Sequence, residues 1–289
     1  MTTTPLTPYA FEAIFTTRNP QSHKGTFGSV GILGGTQGMT GAAVLAARAA
    51  LKTGAGRVYV GLAQPEPHYS LDALQPELMW RPCLALIAMA SEINAWALGC
   101  GLGESAFALN ALRQVFQQRG NAPIVVDADA LNALSSGQIT PVWGQAPVVI
   151  TPHPTEAARL LKCDTETVQS DRVAHAQALA KTYKAWVVLK GHQTIICAPN
   201  LSCWQNTTGN VGLATAGSGD VLSGVIASLL AQGFSVEESV LAGVWLHGRA
   251  ADHCVAQGMG PVGLTASEVI EAVRWVRNHP ESELSGLKR

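Results

Sequence analysis

Six short apolar runs alternate with longer stretches of helical character, and that alternation limits what this chain can become. The runs are Ser29–Leu33, Arg57–Leu62, Ala95–Leu98, Pro123–Val126, Val148–Ile150 and Trp186–Leu189. The helical stretches are Gly41–Lys52, Glu104–Gln118, Thr155–Leu161 and Glu166–Lys184. Strand and helix in turn predict βα units and a parallel sheet. Thr194–Ala198 reads as the return arm of a hairpin after the last run. Five runs stop in glycine or polar clusters: Gly34-Gly35, Gly99–Gly103, Asp127, Thr151–Pro154 and Lys190-Gly191. In an open parallel sheet those clusters fall along the carboxyl edge, where such folds bind ligands. A structural protein has no need to collect its polar clusters there.

The 289 residues suffice for one large α/β domain, and no repeat, low-complexity tract or Pro/Ser-rich linker divides them. We therefore expect a single domain over 1–289, with residues 1–24 as a leading helix or arm. A net charge of −1 leaves no electrostatic footprint for nucleic acid or an anionic membrane. No apolar run approaches the ~20 residues of a membrane span. The N-terminus lacks the basic and apolar regions of a signal peptide. Charged residues make up only 13%, which is compatible with oligomer interfaces. Six scattered cysteines without a C-x-x-C pair read as small buried hydrophobes in a reducing cytosol, not as disulfides or a zinc site.

The richest single stretch is Asn206–Gly233, NTTGNVGLATAGSGDVLSGVIASLLAQG. Glycines let backbone N–H groups approach a phosphate, and the helix that follows adds its positive end. Asp220 is the odd member, since a carboxylate repels phosphate. It points to a base or a magnesium partner beside the transferring group, or to a helix cap. There is no Walker-A motif, and the G-x-G-x-x-G at Gly258 follows a helix and contains Pro261, so it reads as a loop.

Four further motifs add to it. Gly41, Ala42 and Ala43 either admit a bulky ligand at a helix start or allow tight packing. In Asp127-Ala128-Asp129, Asp129 is the expected helix cap and Asp127, at the strand tip, the better site candidate. His153 sits between two prolines on a stiff loop, with Glu156 in the first turn beyond it. Lys190, at another strand tip, can meet phosphate as a point charge.

Together GGTQGMTGAA, GCGLG, DADALN, TPHPTEAARLL, VLKGHQT and the glycine-rich stretch resemble the ADP- or ATP-dependent NAD(P)H-hydrate dehydratases, in order and spacing, from about Gly25 to Glu271. Cys100 stands where the family's third motif has proline, and Glu268 where Asp is common. The resemblance implies an α/β, ribokinase-like fold: three layers around a central, mostly parallel sheet, with the ligand site at its carboxyl edge. It is similar to the stand-alone dehydratase rather than to members fused to an epimerase domain. It implies ADP, or ATP, as co-substrate with magnesium, and a hydro-lyase that returns hydrated NADH or NADPH to its reduced form.

By the same resemblance Asp220 is the base for the 6-hydroxyl, and Gly217, Ser218 and Gly219 form an anion hole. Lys190, Gly191, His192, Gln193, Thr194 and Gly219 contact the nucleotide. Ala42, Gly103 and His153, with Asp220, contact the hydrate. Glu156 reaches magnesium through water. A cytoplasmic homotetramer acting with a separate epimerase completes the expectation. The alternative is a small-molecule kinase of the same fold that phosphorylates a vitamin precursor.

Overall fold

Alternate residues of the central strands feed two separate cores. Val30, Ile32, Ala95, Ala97 and Val125 pack into one; Leu33, Trp96, Leu98, Ile124 and Val126 into the other. Strands apolar on both faces belong to a sheet covered by helices on both sides. The computed structural model describes residues 3–66 and 71–279; the other positions of the expected 1–289 domain lie outside the described residues.

The strands are β1 (Thr4–Pro5), β2 (Ser29–Gly34), β3 (Arg57–Leu62), β4 (Met79–Arg81), β5 (Ala95–Leu98), β6 (Ile124–Val126), β7 (Val148–Ile150), β8 (Trp186–Leu189), β9 (Ile195–Cys197) and β10 (Cys203–Gln205). They form one sheet in the order β1-β10-β9-β8-β7-β6-β5-β2-β3-β4. All pairs from β8 to β4 are parallel; β8–β9 and β9–β10 are antiparallel, so the hairpin arm read from Thr194 onward is present. Strand order reverses between β2 and β5, which opens a crevice at their carboxyl ends.

The helices are α1 (Thr40–Lys52), α2 (Cys83–Ala88), α3 (Ala106–Gln118), α4 (Ala128–Ser135), α5 (Pro154–Leu161), α6 (Thr165–Ser170), α7 (Arg172–Tyr183), α8 (Ser218–Ala231), α9 (Val236–Ala256) and α10 (Ala266–Asn278). The apolar faces of α1, α8, α9 and α10 fill the first core, and those of α2, α3, α4, α5 and α7 the second. Gly224 permits the close approach of α8 to α1: a Cβ there would lie 2.1 Å from the Ala46 carbonyl oxygen. Among the described residues no helix is long and apolar enough to cross a membrane.

Several expectations change. The helix read over Glu166–Lys184 is two, because Asp171 leaves helical geometry (φ −146°, ψ 80°) and caps α7 through its side chain. The leading arm is strapped down: β1 pairs with β10, and a 3₁₀ segment, Pro8–Phe15, buries Phe11 and Ile14 and sets the rings of Phe11 and Phe15 against Trp245. Cys197 and Cys203 are not separate hydrophobes. They face each other across the β9–β10 pair and form a disulfide. Cys83, Cys100, Cys163 and Cys254 remain free.

Candidate active site

The carboxyl ends of β6, β7 and β8 deliver one charged cluster. Asp127 leaves the tip of β6 buried, and its side chain accepts from the Ala128 N–H at 2.9 Å, so Asp127, not Asp129, caps α4. Ala128 adopts φ +46°, a strained setting for a residue with a Cβ, and it fixes the turn of the carboxylate. Asp129 instead accepts the Gly103 N–H at 2.8 Å and ties the β5 loop to the start of α4.

Lys190 reaches back from the end of β8 and donates to Asp127 Oδ1 at 2.7 Å. Ser223, one turn into α8, donates to Asp127 Oδ2 at 2.8 Å. Glu156 Oε2 lies 3.9 Å from the same ammonium. Burial alone would lower the Lys190 pKa, but Asp127 and Glu156 more than offset it and hold the ammonium above its ordinary value. The same burial raises Glu156, which Lys190 only partly counters.

His153 is the N-cap of α5. Its Nδ1 accepts the N–H groups of Thr155 (3.1 Å) and Glu156 (3.3 Å), and Glu156 Oε2 accepts the His153 N–H at 2.8 Å. Two accepting contacts at Nδ1 put the ring proton on Nε2, which lies 3.4 Å from Glu156 Oε1. Desolvation and then Lys190 lower the imidazole pKa, so the ring is neutral near pH 7. The free edge of the imidazole stays exposed.

Asp220 occupies the first turn of α8, where Gly217 (φ +87°) turns the chain into the helix. Burial, and next the negative charge of Asp127, push its pKa up to about 6; a hydrogen bond from the Cys100 thiol and the Lys190 ammonium pull back. A half-buried carboxylate poised near 6 is suited to accept a proton from a hydroxyl. Gly219 brings the helix start against Lys190: a Cβ there would sit 3.3 Å from Nζ. Backbone N–H groups at this N-terminus and the Lys190 ammonium therefore lie close enough together to be able to hold one anion.

The loops after β2 and β5 meet beside Asp220. The N–H groups of Gly35 and Thr36 donate to the carbonyls of Cys100 (2.9 Å) and Gly101 (2.7 Å). Ala43 is fully buried against this pair of loops, Ala42 is half-buried, and Gly41 faces open space. Ala43 is thus a packing position, and open space remains at Gly41.

A cavity of about 520 Å³ opens on the hairpin side of Lys190, a volume ordinary for a small-molecule site. Lys190, Gly191, His192, Gln193 and Thr194 form one wall, and Ser218 marks its junction with α8. Leu222, Val244 and His247 form an apolar floor. His247 is held neutral by burial, its pKa down to about 4. Ala42, Gly103, His153 and Asp220 do not line this cavity; they lie at the start of α1, in the loop after β5, at the start of α5 and at the start of α8. Gly217 and Gly219 belong to the helix start between. Among the described residues no group of three His, Cys, Asp or Glu side chains could hold a metal, and Glu156 is occupied by its cap and by Lys190.

Sequence reasoning missed three contributors. Ser223, Cys100 and Arg172 each act on a site residue through the fold. Arg172 donates to the carbonyls of Leu189, Lys190 and His192 from across the β8 turn. Only Ser223 carried a signal, one helical turn beyond Asp220 and hence near the same helix end.

A family model described as NAD(P)H-hydrate dehydratase matches residues 30–274. The chain is 45% identical over 274 residues to the ADP-dependent (S)-NAD(P)H-hydrate dehydratase of Neisseria meningitidis, covering 94% of this chain and 92% of that protein. It is 35% identical to the bifunctional NAD(P)H-hydrate repair enzyme of Moorella thermoacetica, covering 93% of this chain and 53% of that one. The chain thus spans about half of the bifunctional relative. Among solved structures it is similar to the ADP/ATP-dependent NAD(P)H-hydrate dehydratase of Bacillus subtilis, co-crystallised with ATP and magnesium. That match has a TM-score of 0.81 and 29% identity, and covers 96% of this chain and 99% of the other.

Proposed function

The chain belongs to the NAD(P)H-hydrate dehydratase family, and from that premise we propose that it uses ADP to dehydrate the (S)-hydrates of NADH and NADPH. The products are the reduced nucleotide, AMP and phosphate. The observation that carries the chemistry is the Asp220 carboxylate, poised near pH 6 at a helix N-terminus beside Lys190.

Asp220 takes the proton from the 6-hydroxyl, and that oxygen attacks the terminal phosphorus of ADP. AMP leaves with the electrons of the broken P–O bond. The N–H groups at Gly217–Gly219 and the Lys190 ammonium stabilise the charge on the transferring group. Phosphate is then a far better leaving group than hydroxide. The ring nitrogen's lone pair expels it, and loss of a proton from C5 restores the double bond. Hydrate and ADP thus balance to NAD(P)H, AMP, phosphate and a proton, the hydrate's own hydroxyl oxygen leaving in the phosphate.

The nucleotide fits the cavity walled by Lys190–Thr194, and the hydrate fits the adjoining cluster at Ala42, Gly103 and His153. Among the described residues no group of three His, Cys, Asp or Glu side chains could hold magnesium directly, so the ion would be carried by the nucleotide phosphates, with Glu156 reaching it through water. The reading extends to a single domain over 1–289, a cytoplasmic homotetramer, and a separate epimerase that supplies the (S) form.

Hydrated NADH mixed with ADP and magnesium tests this directly. Recovery of the reduced-nicotinamide absorbance, with one AMP released per turnover, is the expected result; ATP in place of ADP ranks the two donors. A stable phosphorylated product without recovered absorbance would overturn it in favour of the kinase.

A further inference from the structure

Arg172 stands in a place that ordinary helix electrostatics disfavours. It is the first residue of α7, where the helix dipole is positive, and the usual occupant is an acid. Among the described residues it forms no ion pair. Its guanidinium instead donates to three carbonyls of the segment leaving β8: Leu189 at 2.9 Å, Lys190 at 3.1 Å, and His192. A fourth carbonyl, that of Gly191, accepts from Thr194 Oγ1 at 2.9 Å.

The turn so held is not a relaxed one. Gly191 has φ +134°, a value open to glycine alone, and Gln193 has φ +54°. A Cβ on Gly191 would lie 3.1 Å from the Arg172 guanidinium, so the backbone lies directly against it. A trans peptide points its C=O and the next N–H in opposite directions. Carbonyls of Lys190 and His192 turned inward to Arg172 therefore turn the N–H groups of Gly191 and Gln193 outward, and both residues line the cavity. The Lys190 N–H is already used, donating to Pro152 O at 2.9 Å.

We propose that Arg172 is a positioning residue for the nucleotide: it holds the 190–194 turn inside out, so that the amides of Gly191 and Gln193 face an anionic or acceptor group of the ligand. The Asp171 carboxylate caps α7, but the guanidinium of Arg172, which forms no ion pair among the described residues, backs the turn as a positive charge. That arrangement suits a phosphate-bearing ligand. Lysine cannot replace it, since a single ammonium lacks the planar fork that spans several carbonyls. The inference rests on the reading of this cavity as the ADP site.

The test uses the full chain with Arg172→Lys and Arg172→Gln, and ADP as the titrated probe. Calorimetry should show ADP binding weakened roughly tenfold, and kinetics a matching rise in KM for ADP. The hydrate KM and kcat at saturating ADP should stay within about twofold of the parent. A folded variant that binds ADP as the parent does, or an equal rise in both KM values, would overturn the assignment. If neither variant folds, amide exchange on the parent decides: ADP should slow exchange at Gly191 and Gln193, and unchanged rates refute the idea. A parent that binds ADP through these amides yet turns over no hydrate would sink the proposed activity and leave Arg172's role standing.

Discussion

Lys190 Nζ donates to Asp127 Oδ1 at 2.7 Å, and the two charges of this pair act on Asp220 in opposite directions. Asp127 raises Asp220 while Lys190 lowers it, and burial tips the balance upward. The proposed base, Asp220, is thus tuned first by its own burial and then by the neighbouring ion pair.

Asp220→Asn should remove the base while keeping the shape of the helix start. Turnover of hydrated NADH should fall at least about a hundredfold. ADP affinity, measured by calorimetry, should change little or tighten slightly as a negative charge is lost. Near-normal turnover would dismiss Asp220 as the base.

The same substitution should stabilise the fold. A carboxyl held at about 6 instead of 3.8 binds its proton longer in the folded chain than in the unfolded one. Folding stability therefore falls as pH rises through that window. After discounting for partial exposure, about 1–2 kcal/mol separates parent from Asp220→Asn at pH 7, and almost nothing below pH 4. Urea titrations at both pH values measure the gap. No gain at pH 7 would mean that the carboxyl is not raised.

Turnover needs Asp220 ionised, so the rate should rise through about pH 6 and level off above it. Asp127→Asn removes the like charge and leaves Lys190 less compensated. Both effects lower Asp220, and the acid limb should move down by about one pH unit. The parent and variant profiles of kcat/KM decide it, and an unmoved limb would break the link between the two carboxylates.

His153 has two separable roles. His153→Ala loses the cap of α5, worth about 1 kcal/mol, and raises the hydrate KM more than the ADP KM. His153→Asn restores a capping acceptor without the imidazole. Its thermal stability should return toward the parent while the hydrate KM stays high. Recovery of both together would reduce His153 to a cap.

The inner sheet was readable because β2, β3, β5, β6, β7 and β8 are apolar on both faces and most stop in conspicuous polar clusters. The short strands β1, β4 and β10, two or three residues each, carry no such period and went unread. The break at Asp171 hid inside an uninterrupted helical composition. The Cys197–Cys203 pairing depends on the register of a hairpin whose second arm was not recognised. Site residues at strand tips, Asp127, His153 and Lys190, stood out by position. Their partners did not: Arg172 lies 17 to 20 positions from the carbonyls it holds, and only the βα crossover brings them together. Which aspartate caps α4 turned on the unusual φ of Ala128, which composition does not announce.

The antiparallel hairpin hung on one side of the parallel sheet divides the work along the chain. The wall read as the nucleotide site is written almost wholly between Leu189 and Gly248, while the loops at Thr36–Ala42, Gly99–Gly103 and His153 come from the earlier crossovers. Lys190 and Ser218, at the start of α8, stand at the junction of the two. On the proposed assignment, substitutions in the loops after β2, β5 and β7 act on the hydroxyl acceptor and leave the wall that takes the phosphoryl donor in place.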